Sequence, residues 1–365
     1  MSAGALTHCL KGQCRITHFL QGKYMSLRTL RLLTLALGAA VALPGLAADP
    51  LTAAQTLNQL NVVALNTINS NSHVDGRTWA GGAVSGGDYG QHPADAPASA
   101  YAGLTAATAS NVHVNGMGAY LSGSLSNSIV NSGSTVVMGS ASSNNFNGPA
   151  AYVAGSEAFN NFNGGGRVYS LTGDMQTMAG AALSTNFANV LGGLSQSLKS
   201  VGDTGGSVDI SGNKVTFNAV AGSDGVAIFD LTAIDETVFA KGEFEFKLNG
   251  ASTMVFNTDV SSASIAANFL GGSAQAVGGK TIWNFYNAST LNINNQFGGS
   301  ILALGATLTN WNNIEGGVFV EDLVQRGEIH LQPFDGVIPV PEPESYGMLL
   351  AGLALLGVFA RRRLV

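Results

Sequence analysis

The central part of this sequence contains no cysteine. The chain has two cysteines, Cys9 and Cys14, and both precede the point at which we predict that a leader is cleaved. The cleaved chain can therefore form no disulfide, and it has no thiolate to act as a nucleophile or a metal ligand. This excludes cysteine-dependent enzymes and disulfide-stapled scaffolds.

Basic residues are scarce as well. Between Asp49 and Val340 there are eight Lys or Arg and twenty Asp or Glu, which gives a net charge of −12. An acidic body without a basic stripe argues against nucleic acid and anionic membrane surfaces as partners. We therefore predict that the body binds no nucleic acid.

Charge of either sign is sparse, while small residues are abundant. Only 10% of the residues are charged, and 48 of the 365 are glycine. Regularly placed Val, Ile, Leu and Phe argue against disorder in spite of this composition. Stacked β-coils have such a composition, because Gly turns their corners and Asn or Ser side chains form ladders between them.

The first 48 residues contain a leader pattern. From Met25 the sequence has a basic start, an apolar run over residues 32–43, and a small-residue segment after Pro44. We predict a signal peptide over residues 25–48, cleaved by signal peptidase near Ala47 or Ala48. Residues 1–24 are then an over-called start or an extended signal region.

The last 27 residues consist of a proline-rich tether, an apolar stretch and a basic end. Residues 339–345 cannot be helical because of their prolines. Tyr346–Ala360 is uncharged and would form a helix of about 22 Å, short for a hydrocarbon core of about 30 Å. One interpretation is a short transmembrane anchor whose arginines stay in the cytoplasm. The other is a sorting tail that is removed after export.

The residues of this tail resemble the PEP-CTERM signal. Its motif corresponds to Val340, Pro341, Glu342 and Pro343, and its transmembrane helix and basic tail to residues 346–365. The basic residues are Arg361, Arg362 and Arg363. The resemblance implies export across the inner membrane of a Gram-negative bacterium, with residues 346–360 held there transiently until an exosortase acts. Such signals typically accompany exopolysaccharide production.

The body between the two signals has a β pattern with weak internal repetition. The tetrapeptide at residues 73–76 recurs in similar form at residues 113–116, and the pentapeptide at residues 144–148 recurs at residues 160–164. These spacings of 40 and 16 residues favour the coils of a solenoid. Many short apolar segments follow after Gly205, and they predict further strands.

Two segments have helical patterns. Residues 49–60 predict a short helix with Asp49 and Pro50 at its start. From Met175 to Leu198, apolar residues follow the spacing of one helix face, which predicts one long helix over about 175–200 that Gly192 and Gly193 can bend. We expect this helix to lie along the solenoid and cover an apolar side.

The body resembles the choice-of-anchor A family, an adhesive type of domain that occurs with different surface-attachment signals. The front hallmark residues are Asp75, Gly76, Arg77, Gly81 and Gly82. The rear hallmark residues are Trp283, Asn284, Glu315, Gly316, Glu328, His330, Pro333, Phe334 and Gly336. The resemblance runs from about Ala53 to Pro339, and we assign residues 49–338 to this domain. The resemblance implies a mainly β, right-handed β-helix that is adhesin-like and without known catalysis.

Catalytic and metal patterns are weak in this sequence. It has no Gly-x-Ser-x-Gly turn, and the four histidines of the body form no i, i+4 pair. We therefore predict no catalytic residues, no metal ligands and no cofactor. Structural calcium near Asp224, Asp230, Asp235 and Glu236 stays conceivable, because hard cations favour carboxylate oxygens.

Three more candidate functions depend on side chains that a β-solenoid can bring together. Asp75, Arg77 and Asp88 form one charged cluster, and Glu315, Glu328 and His330 form another. Two carboxylates about 5–10 Å apart would suit a polysaccharide hydrolase or lyase. The second and third functions are sugar stacking on Trp79, Tyr89, Tyr101, Tyr120 and Tyr152, and ice binding through Thr307 and Thr309.

The sequence therefore predicts an exported adhesin-like protein of a bacterial surface or extracellular matrix. Its expected partners are signal peptidase and exosortase during export, and an exopolysaccharide or surface glycan afterwards. The competing hypothesis is a carbohydrate-active enzyme on the same scaffold. The two hypotheses differ in whether the paired carboxylates converge.

Overall fold

The computed structural model describes residues 48–339. Ala47, the sorting motif, the predicted membrane helix and the basic tail lie outside this range. Within it, no helix is both long enough and apolar enough to cross a membrane.

The described residues form many short strands and few helices. In the first half of the chain the strands are β1 (Val62–Ala64), β2 (Ile68–Ser70), β3 (His73–Val74), β4 (Thr78–Ser85), β5 (Asp88–Tyr89), β6 (Leu104–Ser110), β7 (His113–Val114), β8 (Ala119–Leu121), β9 (Leu125–Ser126), β10 (Ile129–Val130), β11 (Thr135–Val137), β12 (Ala141–Ser142), β13 (Asn145–Phe146), β14 (Ala151–Val153), β15 (Glu157–Ala158), β16 (Asn161–Phe162) and β17 (Arg167–Val168). In the second half they are β18 (Ser207–Ser211), β19 (Lys214–Asn218), β20 (Val226–Asp230), β21 (Glu243–Lys247), β22 (Thr253–Thr258), β23 (Ser262–Ile265), β24 (Asn268–Phe269), β25 (Thr281–Phe285), β26 (Thr290–Ile293), β27 (Phe297–Gly298), β28 (Ser300–Asn310), β29 (Ile314–Glu315), β30 (Val318–Gln325) and β31 (Ile329–His330). The helices are α1 (Ala53–Gln59), α2 (Gly173–Ser184), α3 (Phe187–Ser200), α4 (Asp235–Phe239) and α5 (Ser273–Gly278), with a 3-10 turn at Leu270–Gly272.

These strands build three sheets of 18, nine and four strands, and nearly all the pairs are parallel. The exception is the β18–β19 hairpin. The prediction of a mainly β fold is therefore confirmed, as are strands in the short apolar segments after Gly205.

The parallel pairing repeats every 16 residues in the first half of the body. In the large sheet Thr135 pairs with both Ala119 and Ala151, and in the nine-stranded sheet Ile129 pairs with both His113 and Asn145. Each repeat thus contributes two strands to the large sheet, such as β11 and β12, and one strand to the nine-stranded sheet, such as β13. Buried Val and Phe side chains at every repeat form a continuous core between the sheets.

Corners with a left-handed backbone conformation recur at the same interval. Asn111, Asn127, Ser143 and Phe159 have φ values of 56°, 50°, 59° and 55°. Asn tolerates this conformation better than most residues because its short side chain bonds locally. The asparagines that recur between the short apolar segments of the sequence therefore mark places where the chain turns from one sheet to the other.

The order of the nine-stranded sheet shows where the chain begins and ends. It runs β16-β13-β10-β7-β5-β3-β31-β29-β27. Strand β3 is the first strand of this sheet in the sequence and β31 is the last, and the two lie side by side. In the large sheet β1 likewise pairs with both β4 and β30. The chain starts within the stack, builds outward to β17, and then adds its second half on the other side of β3.

Helix α3 packs on the large sheet. Leu191, Leu194 and Leu198 are buried against apolar side chains of that sheet, among them Ile282. Two side-chain amides fix the contact. Asn284 accepts a hydrogen bond from Oγ of Ser195 and donates one to the carbonyl oxygen of Ser195, and Asn257 donates to the carbonyl oxygen of Leu198. The expectation that a helix covers an apolar side is confirmed for α3.

Two helix predictions were wrong in detail. The segment predicted as one long helix is two helices, and the break lies at Thr185 and Asn186, where the Asn186 side chain caps α3 by accepting from the amide of Asn189. Gly192 and Gly193 lie inside α3. Helix α1 starts at Ala53 and not at Asp49, because Thr52 and Gln55 form a capping box.

Candidate functional site

The pairing of β3 with β31 brings the front and rear hallmark segments together. Val74 and Ile329 are partners across this junction, and both side chains are buried. Each inward residue is flanked by outward ones, because successive residues of a strand face opposite sides. The side chains that flank Val74 and Ile329, together with Glu315 of the adjacent strand β29 and with His92, which contacts Asp75, form what we call the junction cluster. It consists of His73, Asp75, His92, Glu315, Glu328 and His330.

His330 is the centre of this cluster. Its Nδ1 lies 2.7 Å from Oε1 of Glu315, and its Nε2 lies 2.8 Å from Oε2 of Glu328. Glu315 is buried, whereas Glu328 reaches solvent. Burial by itself would lower the pKa of His330, but the hydrogen bonds to Glu328 and Glu315 outweigh it and raise that pKa above the usual value. The hydrogen bond with His330 in turn holds the pKa of Glu328 below its usual range.

Asp75 forms the second part of the cluster. It is only 3% exposed, and its Oδ2 accepts from the amide of Leu331 and lies 3.2 Å from Nδ1 of His92. Its Oδ1 has no hydrogen-bond partner among the described residues, and its nearest basic atom is Nε2 of His73 at 3.6 Å. The other ring nitrogen of His73, Nδ1, lies 3.7 Å from Oε1 of Glu328.

The other two charged residues of the front segment lie apart from this cluster. Arg77 is buried and donates to the carbonyl oxygens of Tyr101 and Pro97, and burial lowers its pKa. Asp88 pairs with His113, whose Nδ1 lies 2.9 Å from the carboxylate. The structure therefore does not form the expected Asp75–Arg77–Asp88 group.

The remaining hallmark residues are packed into the fold. A side chain at Gly81 would place its Cβ 2.2 Å from the carbonyl oxygen of Leu65, and one at Gly76 would collide with Asn61. Trp283 is fully buried. Asn284, Gly316, Pro333, Phe334 and Gly336 likewise lie in or beside buried packing around β25, β29 and the segment after β31.

A second surface feature is an array of aligned amides beside the nine-stranded sheet. The Nδ2 groups of Asn131, Asn147 and Asn163 each donate to Oδ1 of the asparagine 16 residues earlier, starting at Asn115, with distances of 2.7, 2.9 and 3.0 Å. On the other side of the inward column, Asn161 donates to Asn145 at 2.8 Å. We call these six asparagines the amide face.

A parallel ladder lies inside the stack. The Ser128 amide donates to Oδ1 of Asn144, and the Asn144 amide donates to Oδ1 of Asn160. This inner ladder satisfies backbone groups at the corners, whereas the amide face points to solvent. The sequence predicted that Asn or Ser side chains form ladders between coils, but it did not indicate that there are two of them or which would be exposed.

Most of the aromatic side chains proposed for sugar stacking are buried. Tyr89, Tyr101 and Tyr120 are all at most 4% exposed, and burial raises the pKa of Tyr89. Trp79 is half-buried against Phe187 and lines an open cavity of about 420 Å³ between β4 and the start of α3. The buried tyrosines cannot stack on a ligand. Among the described residues, the strongly exposed aromatic side chains are instead Phe159, Tyr169 and Trp311, which the sequence did not single out.

The aspartates considered for calcium binding are engaged in hydrogen bonds, and the threonines considered for ice binding do not form a long row. Asp224 and Asp230 accept from amides of their own turns, and Asp235 accepts from Thr258 and from the next amide. Thr307 has Thr290 on one side but Asp322 on the other, so its threonine row is two residues long.

Two family models match the chain. One, described as "Putative Ice-binding-like adhesive domain", matches residues 53–331, and the other, described as "PEP-CTERM protein-sorting motif", matches residues 339–363. No curated protein and no solved structure matches the chain. An adhesive-like domain followed by a PEP-CTERM signal supports an exported surface protein. Since the first model spans well over half of the chain, the chain belongs to this family of ice-binding-like adhesive domains.

Proposed function

We propose that this protein is a non-enzymatic adhesin of a Gram-negative cell surface or matrix, and that its body, a right-handed β-solenoid, binds an exopolysaccharide or surface glycan. An exosortase sorts it through residues 339–363. The family match and the sorting motif support export and adhesion. The amide face is the observation that supports a glycan as the partner.

The amide face has the chemistry that a repeating polyol would need. An asparagine amide offers two N–H donors and two acceptor lone pairs, and the ladder uses one donor and one lone pair of each inner member. The remaining donor and lone pair of Asn131 and Asn147 face solvent. Successive strands of a sheet lie about 4.8 Å apart, so these groups repeat along a line.

The ladder also fixes these amides before any ligand binds. A free asparagine side chain would lose rotational freedom on binding, whereas an amide already held by its neighbours loses less. An ordered polar row therefore favours a long, hydroxyl-rich polymer that makes many weak contacts at once. The asparagine amides are also neutral, so they can bind a sugar by hydrogen bonds alone, and this recognition does not need the basic residues that the acidic body has few of.

Co-sedimentation tests this proposal. The purified protein is mixed with exopolysaccharide from the source organism, and both the pelleted protein and the size distribution of the polymer are measured. We expect the protein to pellet with polymer of unchanged length. A shortened polymer would contradict the adhesive function in favour of an enzyme, and absence of association would contradict a glycan partner.

One observation favours a carbohydrate-active enzyme as the second candidate. Glu315 and Glu328 converge on the same imidazole, that of His330, and one of the two is buried while the other is exposed. Glycoside hydrolases typically use two carboxyl groups whose different environments give one the role of acid and the other the role of base or nucleophile. If the polymer is shortened, the Glu328→Gln variant should no longer shorten it. Glu321 is an exposed glutamate on β30, and the control variant Glu321→Gln should still shorten the polymer.

A further inference from the structure

The junction cluster contains the ligand set of a transition-metal site. Among the residues that the structure describes, His73, Glu328 and His330 are the one group of three whose ligand atoms all lie within 4.8 Å of one another. Two imidazoles and one carboxylate are a common set for zinc and related ions. All three side chains are partly exposed, so an ion can reach them.

Each of the two histidines is backed by a buried carboxylate. Glu315 lies 2.7 Å from Nδ1 of His330, on the side of the ring that faces away from Glu328. Asp75 lies 3.6 Å from Nε2 of His73, again on the side away from Glu328. Metal-binding histidines usually donate their second N–H to such a group, which fixes the tautomer and makes the ring a better ligand.

The unpartnered oxygen of Asp75 supports this interpretation independently. Buried polar atoms are nearly always hydrogen-bonded, and an exception requires an explanation. Oδ1 of Asp75 is buried, lacks a partner among the described residues, and is directed at His73. If Nδ1 of His73 binds a metal, Nε2 must carry the proton, and that N–H supplies the donor that Oδ1 lacks.

We propose that His73, Glu328 and His330 bind one divalent transition-metal ion of the zinc type, which links the first strands of the body to the last. His73 would bind through Nδ1, His330 through Nε2 and Glu328 through its carboxylate, and water would complete the coordination. The inference does not rest on glycan binding, and it assigns metal ligands where the sequence predicted none.

Binding requires small movements and the release of one proton. Metal–ligand distances of about 2.0–2.1 Å in a tetrahedral site place the ligand atoms about 3.3 Å apart. The 2.8 Å contact between His330 and Glu328 must therefore open, and His73 must move closer to Glu328. The proton shared between His330 and Glu328 leaves to solvent, so the ion replaces a hydrogen bond.

The test uses the full-length chain without a histidine tag, carrying Cys9→Ser and Cys14→Ser so that no thiol competes for metal. Zn²⁺ is titrated by calorimetry, and Co²⁺ by its visible absorption, which reports coordination geometry. We expect the His73→Gln variant to bind at least about tenfold more weakly than the parent and to lose the rise in Tm that Zn²⁺ causes.

Two further variants make the test specific. His113→Gln changes the equivalent exposed His–Asp pair of the same sheet and should leave Zn²⁺ affinity unchanged. Glu315→Gln should weaken binding about 10–100-fold, as removal of a group that orients a ligand does. If the parent binds no Zn²⁺ or Co²⁺, or if His73→Gln binds as tightly as His113→Gln, the proposal is overturned and the cluster is an ion-pair network alone.

Discussion

Val74 and Ile329 are partners in a parallel strand pair although 255 positions separate them in the sequence. Their contact joins the outgoing and the returning halves of the chain, and the core on both sides of it is continuous. The approach of His73 to Glu328 depends on this contact, because His73 adjoins Val74 and Glu328 adjoins Ile329. The pairs Asp75–His92 and Glu315–His330 each lie within one half of the chain, and the β3–β31 pairing brings these two pairs together.

The first prediction concerns the stability of this junction. Ile329 is fully buried, so Ile329→Ala should lower the free energy of unfolding by about 2–5 kcal/mol through lost burial and a residual cavity. Ile329→Val, which removes one methyl group, should cost about 0.5–1.5 kcal/mol. Urea unfolding of both variants measures the difference. Equal and negligible losses would show that packing at this junction does not contribute to stability.

The second prediction concerns the corner at Phe159. This side chain is 88% exposed and its residue has a φ of 55°, a conformation that costs most L-residues about 1–2 kcal/mol. The equivalent corners at Asn111 and Asn127 carry asparagine. Phe159→Asn should therefore raise the free energy of unfolding by about 0.5–1 kcal/mol. Phe159→Ala serves as the control, and it should leave stability nearly unchanged because the strain remains.

The third prediction concerns pH and the start of α2. The hydrogen bond from Ser134 lowers the pKa of Asp174, with a further contribution from Thr172. Because the folded pKa lies below that of the unfolded chain, this stabilisation is complete above the unfolded value of about 3.9 and is lost as pH falls through the folded value.

Asp174→Asn should thus lower the free energy of unfolding by about 0.3–1 kcal/mol at pH 7, since it also removes a favourable charge from a helix N-terminus. The deficit should shrink as the pH falls below about 4. Denaturant unfolding at several pH values measures it, with Ser134→Ala as the partner in a double-mutant cycle. A deficit that does not change with pH would contradict an ionised Asp174.

The fourth prediction concerns sorting. Replacement of Pro341, Glu342 and Pro343 by alanine should leave the apolar stretch at residues 346–360 and the arginines unchanged, but remove the motif that we propose an exosortase recognises. We expect the variant to accumulate in the inner-membrane fraction and the parent to reach the surface. Alanine at Glu344 and Ser345 is the matched control, and identical fractionation of all three chains would contradict exosortase sorting.

The sequence predicted local structure and repetition well. The strands at residues 207–211, 243–247 and 281–285 follow from short apolar segments, and the 16-residue repeat of the NNFNG segment indicates the step between successive strands. These features are local, so a pattern of nearby residues can reveal them.

The sequence could not predict how distant segments meet. The pairing of β3 with β31, and hence the convergence of His73 on Glu328 and His330, depends on where the returning half of the chain adds its strands. Periodicity does not encode that choice, and so the four histidines appeared scattered. The break before α3 was missed for another reason, because the capping role of Asn186 gave a weaker signal than the two glycines.

The choice-of-anchor A assignment and the glycan partner stay predictions, and the latter is the central claim. The most direct test is the affinity of the protein for immobilised exopolysaccharide from its source, compared between the parent and the Asn131→Ala, Asn147→Ala double variant. The matched control is Asn287→Ala with Asn294→Ala, two exposed asparagines that each make one side-chain hydrogen bond away from the amide face. We predict at least about a tenfold loss for the first pair and no loss for the second. Equal binding by all three chains would show that the amide face does not contact the polymer, and absence of binding by the parent would contradict the proposed function.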